Sequence, residues 1–335
     1  QKTKCWKGND MKLKIAKVIV SAFVALLVAQ ALNLSTPSAA AIIAILSVMD
    51  TKKVSLAATG QRLAAAVLAL VIGMGIFAIF GFDVMSFGLY LLCYIPLAYL
   101  LKVDIGVAPS TVLVIHLWTQ QQLTFNLFVN ELLLVTIGAG VAILLNWYMP
   151  SYRQEIERVR EEIEDKMREV LLKMSGFLTI GNGKNDGEVL QLLKEKLSEA
   201  REYVRLEAEN HLTKEVTYDY QYFEMRRDQS KLLEIMAINL NEFRWDGEEM
   251  AILSEMFKQT AQQLAEQNTA SQLIDDIEEL LEQFRERPLP QTRREFEKRA
   301  QLYQLLRDLK RFVQLKVDFF QTYGVHYFKK VGEKE

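Results

Sequence analysis

The sequence predicts an all-α protein: a six-helix transmembrane domain, residues 11–150, followed by a cytoplasmic antiparallel helical bundle, residues 151–330. Three observations carry this. First, the charge is split. Residues 1–150 hold ten Lys/Arg against five Asp/Glu, whereas the remaining 185 hold thirty against thirty-seven. The whole-chain mean hydropathy of +0.04 and net charge of −2 therefore average two unlike regions. Second, the first region contains six apolar runs near the ~20 residues that a helix needs to cross a ~30 Å hydrocarbon core. Third, the second region repeats its apolar residues at helical spacing and nowhere alternates as a strand does.

The runs cover residues 13–32, 36–54, 62–80, 84–101, 105–121 and 127–149. Met11-Lys-Leu-Lys has the look of a natural start, which makes residues 1–10 an extension. A second apolar run follows the first at once, so the first is read as a span and not as a cleaved leader. Asn33-Leu34-Ser35-Thr36-Pro37 turns into a proline-started helix. Gly81-Phe82-Asp83 closes the third run, Lys102-Val103-Asp104 separates the fourth from the fifth, and 120–126 separates the fifth from the sixth. Lys2, Lys4, Lys7, Lys12, Lys14, Lys17, Lys52, Lys53, Arg62 and Lys102 all fall before the first run or in alternate loops, and so on one side. This is the positive-inside pattern, with both termini cytoplasmic and an even number of spans.

Weak internal symmetry runs through the spans. Pro37 opens the second and Pro109 lies early in the fifth, while Gly73-Met-Gly75 in the third answers Gly138-Ala-Gly140 in the sixth. Interrupted helices at matching places in inverted halves point to a transport site; Pro and Gly are also simply common in membrane helices. Ionisable residues in the spans are costly and mark candidate paths. In or near the spans they are Asp50, Lys52, Lys53, Arg62, Asp104, His116 and Glu131. Arg62 and Glu131 each fall near the start of the third span of a half but at opposite faces, so they are not expected to pair. His116 is either a hydrogen-bonded core histidine or part of a proton relay.

After Pro150 the composition switches. Ser151-Tyr-Arg-Gln154 reads as a capping box. Ile156, Val159, Ile163, Met167, Val170 and Met174 form one helix face, and Leu190, Leu193, Leu197 and Val204 form the next. A helix over 218–241 follows, then one capped at Asp246-Gly-Glu-Glu249 with a break near 268–271. Thr292-Arg-Arg-Glu295 caps the last, after the Pro288-Leu-Pro290 stop. Gly176–Gly181 misses the phosphate-loop pattern, because no Lys follows the second Gly and no strand precedes the first. His116, His211 and His326 are scattered, with no metal-ligand spacing. No nucleophile has a signature context. The sequence thus offers no enzyme, cofactor or metal site, and an acidic second region excludes a nucleic-acid partner. Cys5 and Cys93 alone make no disulfide framework. Tyr218, Tyr222, Arg226 and Gln229 fall near one helix face. They are either a ligand or gating pocket, with aromatic rings and Arg for an anion, or an aromatic core stripe.

Together these stretches resemble the aromatic acid exporter family in its six-span form with a C-terminal domain. The family is related to fusaric acid resistance-like exporters and to plant aluminium-activated malate transporters. The resemblance rests on Thr36-Pro37-Ser38 through Ser47, Asp50-Thr-Lys-Lys-Val-Ser55, Gly60-Gln-Arg62, Gly138, Asn146, Pro150 and the 218–229 segment. Val48-Met49-Asp50 departs from it by placing a carboxylate before Thr51. The resemblance implies an outward-directed permease for small organic or aromatic carboxylates in a bacterial cell membrane, assembled as a homodimer in the lipid bilayer. The competing expectation is a membrane-anchored sensor or scaffold whose bundle binds a small ligand or partner.

Overall fold

The computed structural model describes residues 8–149, 151–180, 187–210, 217–242, 249–264 and 270–324. All regular structure among them is helical. The chain divides into two compact units whose main boundary falls at Ser151–Tyr152.

The first unit contains α1 (Gly8–Ala31), α2 (Ser38–Ser47), α3 (Lys52–Phe80), α4 (Val84–Leu100), a 3-10 turn (Asp104–Gly106), α5 (Val107–Gln120) and α6 (Phe125–Asn146). Its polarity is inverted. Ile15, Ile19, Phe23, Val71, Ile79, Leu92 and Leu144 point outward, and the centre between α1, α2 and α6 is Ala25, Ala29, Ala39, Ala40, Ala44 and Leu134. Small residues let helix backbones approach where lipid supplies no hydrophobic drive. Three helices are long and apolar enough to cross a membrane: Met11–Ala31 within α1, then Lys52–Phe80 and Phe125–Asn146. α2 and α4 are apolar but shorter.

The apolar run 36–54 is not one helix. α2 stops at Ser47, Val48 is extended, and Thr51 starts α3 by accepting a hydrogen bond from the Val54 amide. The expected span at 62–80 therefore begins ten residues earlier, and Arg62 lies in the third turn of a 29-residue helix. The expected run passes through this break because Val48 and Met49 continue the apolar stretch, although Asp50, Thr51, Lys52 and Lys53 after them are polar. A cap is a local hydrogen bond that composition does not record. Pro37 occupies the N-cap position of α2 and Pro109 the first turn of α5, so neither interrupts a helix. Both sit where a missing N–H costs nothing.

The second unit contains α7 (Arg153–Ile180), α8 (Glu188–Asn210), α9 (Thr217–Glu242), α10 (Glu249–Gln262), α11 (Ser271–Arg285) and α12 (Arg293–Phe319), which runs into a π turn at Phe320–Gly324. The apolar faces read from the sequence close one core: Ile156, Val159, Ile163 and Met167 meet Leu193, Val204, Leu233, Phe257, Ile277, Leu305 and Phe312. The expected break separates α10 from α11, and Thr292 caps α12 by accepting from the Glu295 amide. The Asp246 cap, Gly181, Pro150, His211 and His326 lie outside the described residues.

A cluster of charges joins α7 to α8. Glu199 receives Lys196 Nζ at 2.9 Å, Arg158 Nη2 at 3.2 Å and the Tyr203 hydroxyl at 3.2 Å. Burial pushes the Glu199 carboxyl up, but Lys196 and Arg158 outweigh it and hold it below its ordinary 4.5. A depressed folded value stabilises above the unfolded value and is lost as pH falls through the folded one. Glu199→Gln should therefore lower full-chain stability at neutral pH by less than about 1 kcal/mol, since the cluster is partly exposed. The gap between the two melting curves should close below pH 4.5.

Candidate functional site

Two polar centres lie in the first unit, one at each end of α2. At its carboxyl end, Arg62 is only 4 % exposed. Its Nη1 donates to Ser47 Oγ at 2.7 Å and its Nη2 to the Leu46 carbonyl at 2.5 Å. A helix end leaves carbonyls unsatisfied and carries a partial negative charge; a guanidinium answers both. Around the adjoining break, Asn146 donates to the Met49 carbonyl at 3.3 Å and to Ser55 Oγ at 3.1 Å. Lys14 reaches Asp50 at 2.6 Å. Lys17 donates to the Tyr148 carbonyl at 2.5 Å just past the end of α6. Lys52 is half-buried and Lys53 exposed in the first turn of α3. The Arg62 Nε and Asn146 Oδ1 atoms are buried with no hydrogen-bond partner.

At the amino end of α2, Glu131 is fully buried. Its Oε2 lies 3.0 Å from His116 Nδ1, and its Oε1 accepts from Asn130 Nδ2 at 3.1 Å. Asn130 also accepts from the Ser35 amide at 2.8 Å, which ties α6 to the turn before α2. Thr36 Oγ1 lies 3.2 Å from the same His116 nitrogen and donates to the Ser35 carbonyl at 2.7 Å. Thr36 has φ +54°, left-handed backbone that a β-branched residue rarely adopts. Such strain costs about 1–3 kcal/mol and persists only where its surroundings fix it.

Arg62 and Glu131 do not pair: each is bonded to other groups, at opposite ends of α2. Pro37 and Pro109 position the helix starts, and the Pro37 carbonyl accepts from the Ala40 amide at 3.2 Å. Spacing did not disclose Ser47, Asn130, Thr36 or Lys14. The only signal that could have found them is their polarity inside apolar runs.

In the second unit, Tyr222, Arg226 and Gln229 form one buried network. Arg226 donates to Glu164 Oε1 at 2.5 Å, to the Tyr222 hydroxyl at 3.0 Å and to Gln229 Oε1 at 3.0 Å. Tyr222 donates to Glu164 at 2.6 Å, and Gln229 to the Phe312 carbonyl at 2.8 Å. Tyr218 stacks on Tyr222 and meets Phe319 at a tilt of 54°. Burial, first of all, raises the Tyr222 hydroxyl far above its usual range, which keeps it a donor. Burial alone would lower Arg226, but Tyr222 and Glu164 outweigh it and hold the guanidinium charged. Arg226, Gln229, Thr260, Gln263, Phe312 and Lys316 line a cleft with about 280 Å³ of empty space, part of it open solvent. The segment is thus an aromatic core built around an ion pair, with each Arg226 nitrogen already bonded.

Among the described residues no group of His, Cys, Asp and Glu could hold a metal ion. Two family descriptions match the chain: "Aromatic acid exporter family member 1" over residues 10–149 and "Putative aromatic acid exporter C-terminal domain" over residues 153–317. "Uncharacterized protein YqjA" of Bacillus subtilis (strain 168) is 29% identical over 303 residues, which cover 90% of this chain and 94% of that one. A solved structure described as "Crystal structure of putative membrane protein from Clostridium difficile 630" aligns with a TM-score of 0.45 at 20% identity, over 50% of this chain and 99% of that chain. Outward apolar helices, buried polar centres between them and two matches that together take in both units give one conclusion: the chain belongs to the aromatic acid exporter family, whose membership supports a membrane transporter role.

Proposed function

We propose that this chain is a permease that carries small organic or aromatic carboxylate anions outward across a bacterial cell membrane. The flux is secondary transport or channel-like. The chain crosses the bilayer six times, works as a homodimer, and keeps both termini and the second unit on the cytoplasmic side. Family membership supports the class of function. The alternation of Lys and Arg along the first unit supports the orientation.

The observation that carries the reading is α2. Its ten residues reach about 15 Å, half of a bilayer core. A helix end with irregular backbone is tolerated at that depth only when protein or a water-lined path surrounds it. Here the end carries a buried arginine, which at that place can exchange carbonyl partners for a carboxylate. Lys52 and Lys53 begin the next helix and add positive charge that concentrates anions.

The test uses the full chain in liposomes loaded with hydroxybenzoate. Wild type should release it faster than empty liposomes do. Arg62→Ala should slow release by about tenfold or more, the scale of a lost charged contact. Lys12→Ala should stay close to wild type. Equal effects of the two substitutions would reduce Arg62 to a structural cap, and absence of release of any carboxylate would end the reading.

A further inference from the structure

We propose that His116 and Glu131 form a proton-binding site in the first unit, and that its occupancy is coupled to anion movement; the coupling rests on the permease reading above. The argument starts from donors and acceptors. An ionised carboxylate only accepts, so the 3.0 Å contact between Glu131 Oε2 and His116 Nδ1 places a hydrogen on Nδ1. Thr36 Oγ1 has spent its own hydrogen on the Ser35 carbonyl and can accept from the same Nδ1 at 3.2 Å. Asn130 occupies the other Glu131 oxygen. These contacts fix the imidazole tautomer and turn the Nε2 lone pair away from the carboxylate. Nε2 meets no hydrogen-bonding partner among the described residues, and the His116 side chain is 16% exposed while Glu131 is sealed. A proton arriving from water binds the Nε2 lone pair, imidazole becomes imidazolium, and the buried carboxylate gains its counter-charge. Its return to water reverses both changes.

Among the described residues, no other ionisable side chain is bonded to His116 or Glu131. α2 carries none, α5 carries only His116 and α6 only Glu131. Lys12, Lys14 and Lys17 come from α1, and Lys52, Lys53 and Arg62 from α3. Of these, Lys14 is bonded to Asp50, Lys17 to the Tyr148 carbonyl and Arg62 to the far end of α2. Asp83 caps α4, which adds the phenols Tyr90, Tyr94 and Tyr99, and Asp104 opens the turn before α5. Along α6, Glu131 and Asn146 are separated by about 22 Å. The first unit therefore holds a proton site at one end of α2 and a fixed cation at the other. A shift of α2 that exposes one end alters the burial of the other, which ties proton uptake to anion release.

The experiment has two arms, both on the full chain. In liposomes carrying a trapped pH dye, an inward proton gradient should accelerate hydroxybenzoate efflux and acidify the lumen as it leaves. Glu131→Gln and His116→Gln should lose that acceleration by about tenfold, while both variants keep the helical circular dichroism of wild type. Retained acceleration in either variant overturns the coupling. The second arm needs no transport. The melting temperature of wild type minus that of Glu131→Gln, read in detergent between about pH 5 and 8, should change with pH, because only wild type sets a carboxylate 3.0 Å from the His116 ring. A constant difference overturns the proton site. A changing difference with no hydroxybenzoate flux in wild type would sustain the site and overturn the permease reading instead.

Discussion

Arg226→Met should destabilise the second unit by about 3–5 kcal/mol, the cost of leaving one member of a buried ion pair without its partner. Glu164 would keep its carboxylate beside the buried Tyr222 hydroxyl with no guanidinium to balance it, and Gln229 would lose one of its two bonds. A urea titration of the full chain, followed by circular dichroism, reads the loss as an earlier transition. Glu164→Leu combined with Arg226→Met should recover most of it, because apolar replacement of a whole buried pair is often neutral. Single-substitution costs that simply add in the double variant would show that the two residues do not act together. Tyr222→Phe removes a single donor and should cost only about 1 kcal/mol.

Gly138→Ala should impair folding of the first unit far more than Gly140→Ala. A Cβ at Gly138 would lie 2.6 Å from the Ala40 carbonyl oxygen and 2.9 Å from Ile43 Cβ, whereas one at Gly140 meets nothing within 4 Å. The obstacle is α2 backbone, which cannot rotate aside as a side chain can, so α2 and α6 must separate. Overpacking of this kind costs about 1–3 kcal/mol. Thermal unfolding of purified full-length variants should show a clear drop for Gly138→Ala and none for Gly140→Ala. Gly73→Ala should fall between them, because its Cβ meets only the Val114 side chain at 2.9 Å. Equal tolerance at 138 and 140 would mean that α2 does not rest on α6 as described.

That glycine pair marks where the sequence stops being informative. Gly138 and Gly140 are written alike, yet one is a helix crossing and the other faces open space. Only the neighbouring helix distinguishes them. The helices of the second unit were legible because each carries its own apolar face and α12 carries its own cap at Thr292. The end of α2 was not, since Val48 and Met49 are as apolar as the helix they terminate. Arg62 could be picked out as a charge among apolar residues. Its partner Ser47, fifteen positions earlier, carried no mark. Glu164 lies 62 positions from Arg226, and nothing in the Tyr218–Gln229 segment points to it. Paired charges inside one helix can be read from spacing, while pairs between helices depend on packing that composition does not encode.

The cations of the first unit are held in two different ways, and dissolved electrolyte tells them apart. Arg62 spends its charge on the Leu46 carbonyl and the Ser47 hydroxyl inside the protein, while Lys53 stands exposed. Mobile ions screen exposed charges over about 10 Å at 0.1 M ionic strength but penetrate a packed interior poorly. The attraction that draws an anion toward the surface therefore fades as electrolyte is added, and the attraction at the end of α2 persists. On the permease proposal, capture and retention of an anion thus respond differently to the ionic strength of the surrounding fluid, although both arise from positive charge on the same helix.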